Sequence, residues 1–229
     1  METPTYCRAL AFRRFEAALA QIGTAQGLFR AAFAISLHER PEANLGEAES
    51  IVEQLSATVQ QRVRSNSTAA LLAHLHDVLF DVFGLRGNTE DYYNPANSYV
   101  SDVLSSRRGL PISLVLIYKR VAEPLGLVVH GVNSPGHFLA EVASAERTSE
   151  KSMYVDPFFG GELLTAPEVF ARISQATGQD VIPSPELLSR ATPEQWLARM
   201  LTNLQAAFSA AGQERNTYAM QELYGLLQV

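Results

Sequence analysis

Three residues have the types and spacing for nucleophilic chemistry: Ser113, His137 and Asp156. A serine hydroxyl attacks a carbonyl when an imidazole takes its proton, and a carboxylate behind the imidazole holds the right tautomer. The polar run SAERTSEK separates HFLAEV from SMYVDPF. Taking Glu146 and Arg147 as the centre of a hairpin sets His137 opposite Asp156, with Cβ atoms roughly 5 Å apart. A slip of one residue would put the two on different faces. Ser113 falls in the first turn of a helix that follows Gly109, where unpaired N–H groups and a partial positive charge stabilise an anion. Each residue also has a plain structural use. Ser113 can satisfy backbone donors, His137 can belong to a turn, and Asp156 can fix the Asp-Pro turn with Pro157.

Other chemistry-bearing residues are isolated. Cys7 is the only thiol; it has no local histidine or glycine turn and reads as a small apolar residue. His74 and His76 are two apart, so on a helix they point to different faces and do not share a metal. No C-x-x-C, H-E-x-x-H or glycine-rich phosphate loop occurs, and neither metal nor cofactor is expected. His130 lies in a strand and is expected half-buried. Arg107 and Arg108 make too small a patch for nucleic acid, but could contact the acidic side of the site or a partner. With Asn133 they form the candidate binding set.

The elements that must position these residues follow from periodicity. Residues 7 to about 85 read as helices. Leu45, Ala48, Val52, Leu55, Val59 and Val63 recur every three or four positions, as do Leu72, Leu75, Leu79 and Phe83. Gly84 and Gly87 punctuate the end. Asn97 or Ser98 is placed to cap a short helix carrying Val100, Val103 and Leu104, which Gly109 ends. Pro111 suits the first turn of the next helix, which turns Leu114, Ile117, Tyr118 and Val121 inward. Pro124 should end or kink it. LVVHGVN, HFLAEV and SMYVDPF then alternate as an antiparallel meander of three strands, with NSPG as a turn and Gly160–Gly161 as its close. A short helix is expected over 167–177. Trp196, Met200, Leu204 and Ala207 form one face of a helix, and Ala219, Leu223 and Leu226 a face of another. Joined by AAGQERN, they form a helical hairpin resembling one tetratricopeptide unit.

Composition agrees with an ordinary folded chain. The 229 residues are 47% hydrophobic and 18% charged, enough for a real core. A net charge of −6 argues against nucleic acid as a partner. No apolar run nears the roughly 20 residues that cross a bilayer, and METPTYCRALAFRRF lacks the core of a secretory signal. A single cysteine fits a reducing cytoplasm. Nothing in the sequence speaks to the oligomeric state.

The run YYNPANSYVSDVLSSRRGLPISLVLIYKRVAEPLGLVVHGVNSPGHFLAEV, followed by YVDPFFGG, resembles the bacterial SirB-type family. The motifs R-R-G-x-P-I-S-L, G-V-N-x-P-G-H-F and D-P-F-x-G-G occur in order. That family has a transglutaminase-like domain followed by tetratricopeptide-like helices, and a related domain occurs in an F-box protein of animals. The resemblance spans roughly residues 40 to 229 and is specific from Tyr92 to Gly161. It implies an α+β fold with a transglutaminase or papain-like core, in which a helix start presents a cysteine to a histidine and an aspartate. His137 and Asp156 match the last two. The cysteine would fall at Pro111 to Ser113, and none is there. Asn94 stands where the family commonly has aspartate, and Ala96 where it has arginine.

The expected architecture is N-terminal helices over 1–90, a central helix on a small antiparallel sheet over 91–180, and the helical hairpin over 181–229. A serine does not simply replace a cysteine. A thiol of pKa about 8.5 ionises readily beside imidazole, whereas an alcohol needs an aligned general base and a good oxyanion hole. The expected function is therefore a transglutaminase-like protein without its nucleophile. It would bind a protein partner and act in regulation, away from membranes. The alternative is a hydrolase or acyltransferase using Ser113, His137 and Asp156. A ligand binder using the remnant cleft is a third reading.

Overall fold

A computed structural model describes residues 3–65, 67–143 and 153–227. The chain opens with α1 (Ala9–Leu19), α2 (Ala25–Ser36), α3 (Leu45–Arg62) and α4 (Thr68–His76). Side-chain oxygens start three of them. Thr24 accepts from the Gly27 N–H, Asn44 from Gly46 and Glu47, and Ser67 from Ala70. α4 runs on into a π-helical stretch, Asp77–Val82. Leu72, Leu75 and Leu79 are buried as their spacing requires, while the wider turn leaves Phe83 half-buried.

A two-residue strand β1 (Arg86–Gly87) pairs in parallel with β2 (Arg108–Gly109), flanking α5 (Val100–Ser106). Two local expectations fail here. Neither Asn97 nor Ser98 caps α5; Tyr99 occupies that place without a side-chain bond. The Asn97 amide instead donates to the carbonyls of Asp91 and Tyr92 and accepts from Asn88, which ties down the loop ahead of α5. Nor does Gly109 end α5. Arg107 does, in the left-handed region at φ 62°, which leaves Gly109 extended for its strand.

α6 (Pro111–Ala122) is the central element. Pro111 is its first residue, and Leu114, Ile117, Tyr118 and Val121 are fully buried. Val115 and Leu116 are buried too, so α6 is enclosed on all sides. It stops before Pro124, as a proline without an N–H demands. Its neighbours are the N-terminal helices and a sheet of β3 (Val128–Val132), β4 (Leu139–Ala143), β5 (Met153–Asp156) and β6 (Glu162–Leu164).

The sheet is antiparallel in sequence order, one strand longer than the expected meander, because Gly160 and Gly161 reverse the chain into β6. Val129, Ala140, Val142 and Val155 face α6 in the main core. Val132, Leu139 and Leu164 face the other way, onto Val169 and Ile173 of α7 (Ala166–Thr177). Two-sided burial of adjacent residues is what a sheet sandwiched between helices requires. Segment 189–191 lies along β3, with Ala191 N–H donating to Gly131 O and Asn133 N–H to Ser189 O. Arg190 forks onto Glu141 of β4 at 2.5 and 3.0 Å.

α8 (Pro193–Ala210) and α9 (Glu214–Gly225) form the expected hairpin. Trp196, Met200 and Leu204 are buried, joined by Leu201 and Phe208. The Glu222 carboxylate accepts from the N–H groups of Thr5, Tyr6 and Cys7 at 2.7 to 3.1 Å, so the chain's two ends are bound together. One buried cluster holds Phe29, Leu116 and Leu204 alike. The architecture is α+β, with a central helix on a small antiparallel sheet.

Candidate functional site

His137 is placed by a turn. Ser134 O accepts from the His137 N–H, Pro135 presets the first inner position, and Gly136 has φ +69° at the second. That is a type II turn, whose second inner residue must take positive φ. The Ser134 hydroxyl donates to Leu187 O at 3.1 Å, which anchors the turn from outside the sheet.

Asp156 ends β5 and is fully buried. One oxygen, Oδ1, accepts from the Phe158 N–H at 3.1 Å. The other, Oδ2, meets His137 Nε2 at 2.9 Å and Arg172 Nη1 at 3.1 Å. The expected pair thus forms, but by a different register. Strand partners Ala140–Val155 and Glu141–Tyr154 set Asp156 level with Leu139, two residues beyond His137. A shift of two preserves the face, so the side chains meet diagonally where a shift of one would part them. The assumed hairpin centre, Glu146 and Arg147, lies outside the described residues.

Arg172 was missed by sequence reasoning. It sits in α7, shares Asp156 with His137, reaches Glu162 through Nη2 at 2.5 Å and lies 4.1 Å over the Phe159 ring. The Asp156 carboxylate therefore has a permanent cation as well as the imidazole. With Nε2 bonded to Asp156, His137 has Nδ1 left for the cleft, since Nδ1 makes no hydrogen bond among the described residues.

That cleft is a cavity of about 330 Å³ beside His137. The start of α6 lines it with Leu110, Pro111 and Ile112. Ser113 does not join. It is fully buried, its Oγ has no hydrogen-bond partner among the described residues, and it is absent from the cleft wall. The expected trio is therefore not assembled: helix rotation at 100° per residue carries Ser113 past the cleft into the core. Arg107 and Arg108 also lie elsewhere. Arg107 is exposed beside the Phe83 ring, and Arg108 belongs to β2. Asn133 accepts from Arg199, a residue of α8 that lines the cleft and was not foreseen. Asn94 caps a short turn and donates to Asp91, so amide and carboxylate hold that loop without an ion pair.

Two further titratable groups sit in the packed interior, Cys7 and His76. Burial pushes the Cys7 thiol up to about 12. His76 is half-buried against Tyr118, 3.0 Å from its hydroxyl, and the loss of water there pulls it down to about 4. No group of three or more potential metal ligands occurs among the described residues. No helix among them is long and apolar enough to cross a membrane.

The model of the transglutaminase-like superfamily matches residues 46–202, the span from α3 into α8 that contains α6, the sheet and the His137–Asp156 pair. The chain belongs to the transglutaminase-like superfamily. Among curated relatives, a UPF0162 protein of Xylella fastidiosa (strain 9a5c) is 31% identical over 186 residues, which is 80% of this chain and 65% of that protein. UPF0162 protein PA3419 of Pseudomonas aeruginosa is 29% identical over 194 residues, 81% of this chain and 66% of its own length. F-box only protein 21 of Mus musculus is 37% identical over 109 residues, 46% of this chain and 17% of that protein. The chain thus spans just under two thirds of the length of these bacterial relatives. No solved structure gives a significant match. In this transglutaminase-like chain His137 and Asp156 are in contact, and Pro111 and Ile112 line the cleft at the start of α6.

Proposed function

We propose that this transglutaminase-like protein works by binding, with no nucleophile of its own, as a regulatory module that receives a segment of a protein partner in its cleft. One observation carries the reading. The side of α6 that meets His137 across the cleft is apolar, made by Leu110, Pro111 and Ile112, while the hydroxyl on that helix start, Ser113 Oγ, is buried without a partner among the described residues. Tyr92, Tyr93 and Ser98 line other parts of the wall, but none of them is hydrogen-bonded to His137 among the described residues, so no nucleophile is paired with the imidazole. The His137–Asp156–Arg172 cluster then serves as a clamp that joins the turn, β5 and α7. The α8–α9 hairpin, the part that resembles a tetratricopeptide unit in SirB-type proteins, supplies Asn203, Ala206 and Ala207 to the opposite wall. Helical hairpins of that kind bind peptides in grooves. A cytoplasmic setting agrees with the lone, buried thiol of Cys7.

The test pairs activity with binding. Wild type, Ser113→Ala and His137→Ala are assayed with activated esters and with a glutaminyl peptide plus an amine. All three should run at the buffer rate. Saturable turnover that disappears in Ser113→Ala overturns the reading and restores the serine alternative. A photocrosslinking residue at Ala207 should trap a polypeptide partner that the same residue at Arg13 does not.

A further inference from the structure

Arg120 and Arg172, whose side chains are largely buried, each meet a carboxylate. Arg199, half-buried at the cleft, meets none among the described residues. Its Nη1 donates to Asn133 Oδ1 and, at 2.8 Å, to Ser134 O, which commits both Nη1 hydrogens. Among the described residues Nε and Nη2 have no hydrogen-bond partner, and no carboxylate lies within ion-pair distance. The guanidinium carbon lies 5.5 Å from the centroid of the Phe138 ring, within cation–π range.

What remains free is one edge of the fork, two parallel N–H groups side by side. That edge matches the two oxygens of a carboxylate. Arg199 lines the cleft, and no aspartate or glutamate does. The cleft therefore holds a fixed positive charge in a chain of net charge −6. Around it the wall is aromatic and aliphatic, with Tyr92, Tyr93, Ile112 and Phe138. Burial also holds the guanidinium below its usual range, so the half-buried cation has given up part of its water without gaining an anion. An anionic ligand would supply the missing partner at a guanidinium already half-buried and held through Nη1.

Resting on the reading of this cleft as a binding site, we propose that it takes a carboxylate carried on an apolar or aromatic body. The carboxylate is forked onto Arg199 Nε and Nη2, and the body lies among Tyr92, Tyr93 and Ile112. Two sources share that chemistry: the C-terminal carboxylate of a polypeptide and a free organic acid.

The experiment titrates the full ¹⁵N-labelled chain with N-acetyl-Leu-Phe, its C-terminal amide, 3-phenylpropionate and inorganic phosphate. Backbone shifts and the Arg199 Nε–H resonance are followed by NMR. The peptide acid should bind about tenfold tighter than its amide, because the amide gives the fork one acceptor and no charge. Arg199→Gln should abolish that preference, and Arg199→Lys, which keeps charge without the fork, should retain part of it. If 3-phenylpropionate equals the peptide acid, the source is an organic acid; if it is clearly weaker, the source is a polypeptide terminus. Both outcomes support the carboxylate. Equal affinity for acid and amide, or no shift with either carboxylate at millimolar concentration, overturns the proposal, and so does phosphate binding as tightly as the peptide acid. The key comparison is made in the wild type, so a variant that fails to fold does not blunt it. Equal acid and amide binding strikes only the anion assignment, whereas turnover lost in Ser113→Ala strikes only the binding reading of the cleft.

Discussion

His76 sets a pH dependence of stability that can be worked from its surroundings. Burial pulls its pKa from the ordinary 6.5 down to about 4, with Asp81 opposing weakly. The imidazole is neutral in the folded chain and bonded to Tyr118, whose phenol burial keeps protonated. As pH falls below 6.5 the unfolded chain takes up a proton at this position before the folded chain does. Stability associated with His76 is therefore complete above about pH 6.5 and is lost as pH falls toward about 4. At pH 5 the loss is about 2 kcal/mol, from the ratio of the two titration curves. His76→Gln keeps a polar partner for the Tyr118 hydroxyl and removes the titration. Urea unfolding followed by the single Trp196, which is buried, gives the free energy at pH 7 and pH 5. The wild type should lose about 2 kcal/mol more than His76→Gln between those two conditions. His38 and His130 are also held below their usual values by burial, but both remain in the variant and cancel in the difference. Parallel losses in the two proteins would refute the argument.

Three further outcomes follow from single contacts. Asp156→Asn removes the buried one of the two carboxylates that Arg172 meets and should cost about 3 kcal/mol in urea unfolding; an unchanged midpoint contradicts the clamp. Ser113→Ala deletes a buried hydroxyl that has no partner among the described residues, so stability should stay level or rise by about 1 kcal/mol, and a clear drop would reveal a bond the geometry does not contain. Gly131→Ala would put a Cβ 2.7 Å from the Phe138 ring and nearer still to Trp196, so the core must shift at a cost of about 2 kcal/mol with altered tryptophan emission; unaltered emission and midpoint argue against that close approach.

Much of the scaffold around the cleft can be read locally. Pro111 and Pro124 bracket α6 because a proline fits a first turn and cannot continue an interior. The spacing of Leu114, Ile117, Tyr118 and Val121 marks its inner face. Ser134-Pro135-Gly136-His137 encodes its own turn, since proline and glycine each accept one required φ. Those signals lie within a few residues of what they position. The rest depends on groups far apart in sequence. The two-residue offset between β4 and β5 leaves every residue on its own face, so neither the buried pattern nor a hairpin midpoint reveals it. The end of α5 at a left-handed Arg107 follows from the β1–β2 pairing that claims Gly109. The rotation of α6 decides that Ile112 sees the cleft and Ser113 does not, and that rotation is set by helices and strands on every side of it. Arg172 reaches Asp156 across 16 residues, and Arg199 reaches Asn133 across 66. The sequence by itself determined the elements and the histidine's delivery, because those are short-range sterics. Only the tertiary structure decided which side chains share the cleft, because a long side chain's partner is chosen by packing between elements and leaves no periodic trace along the chain.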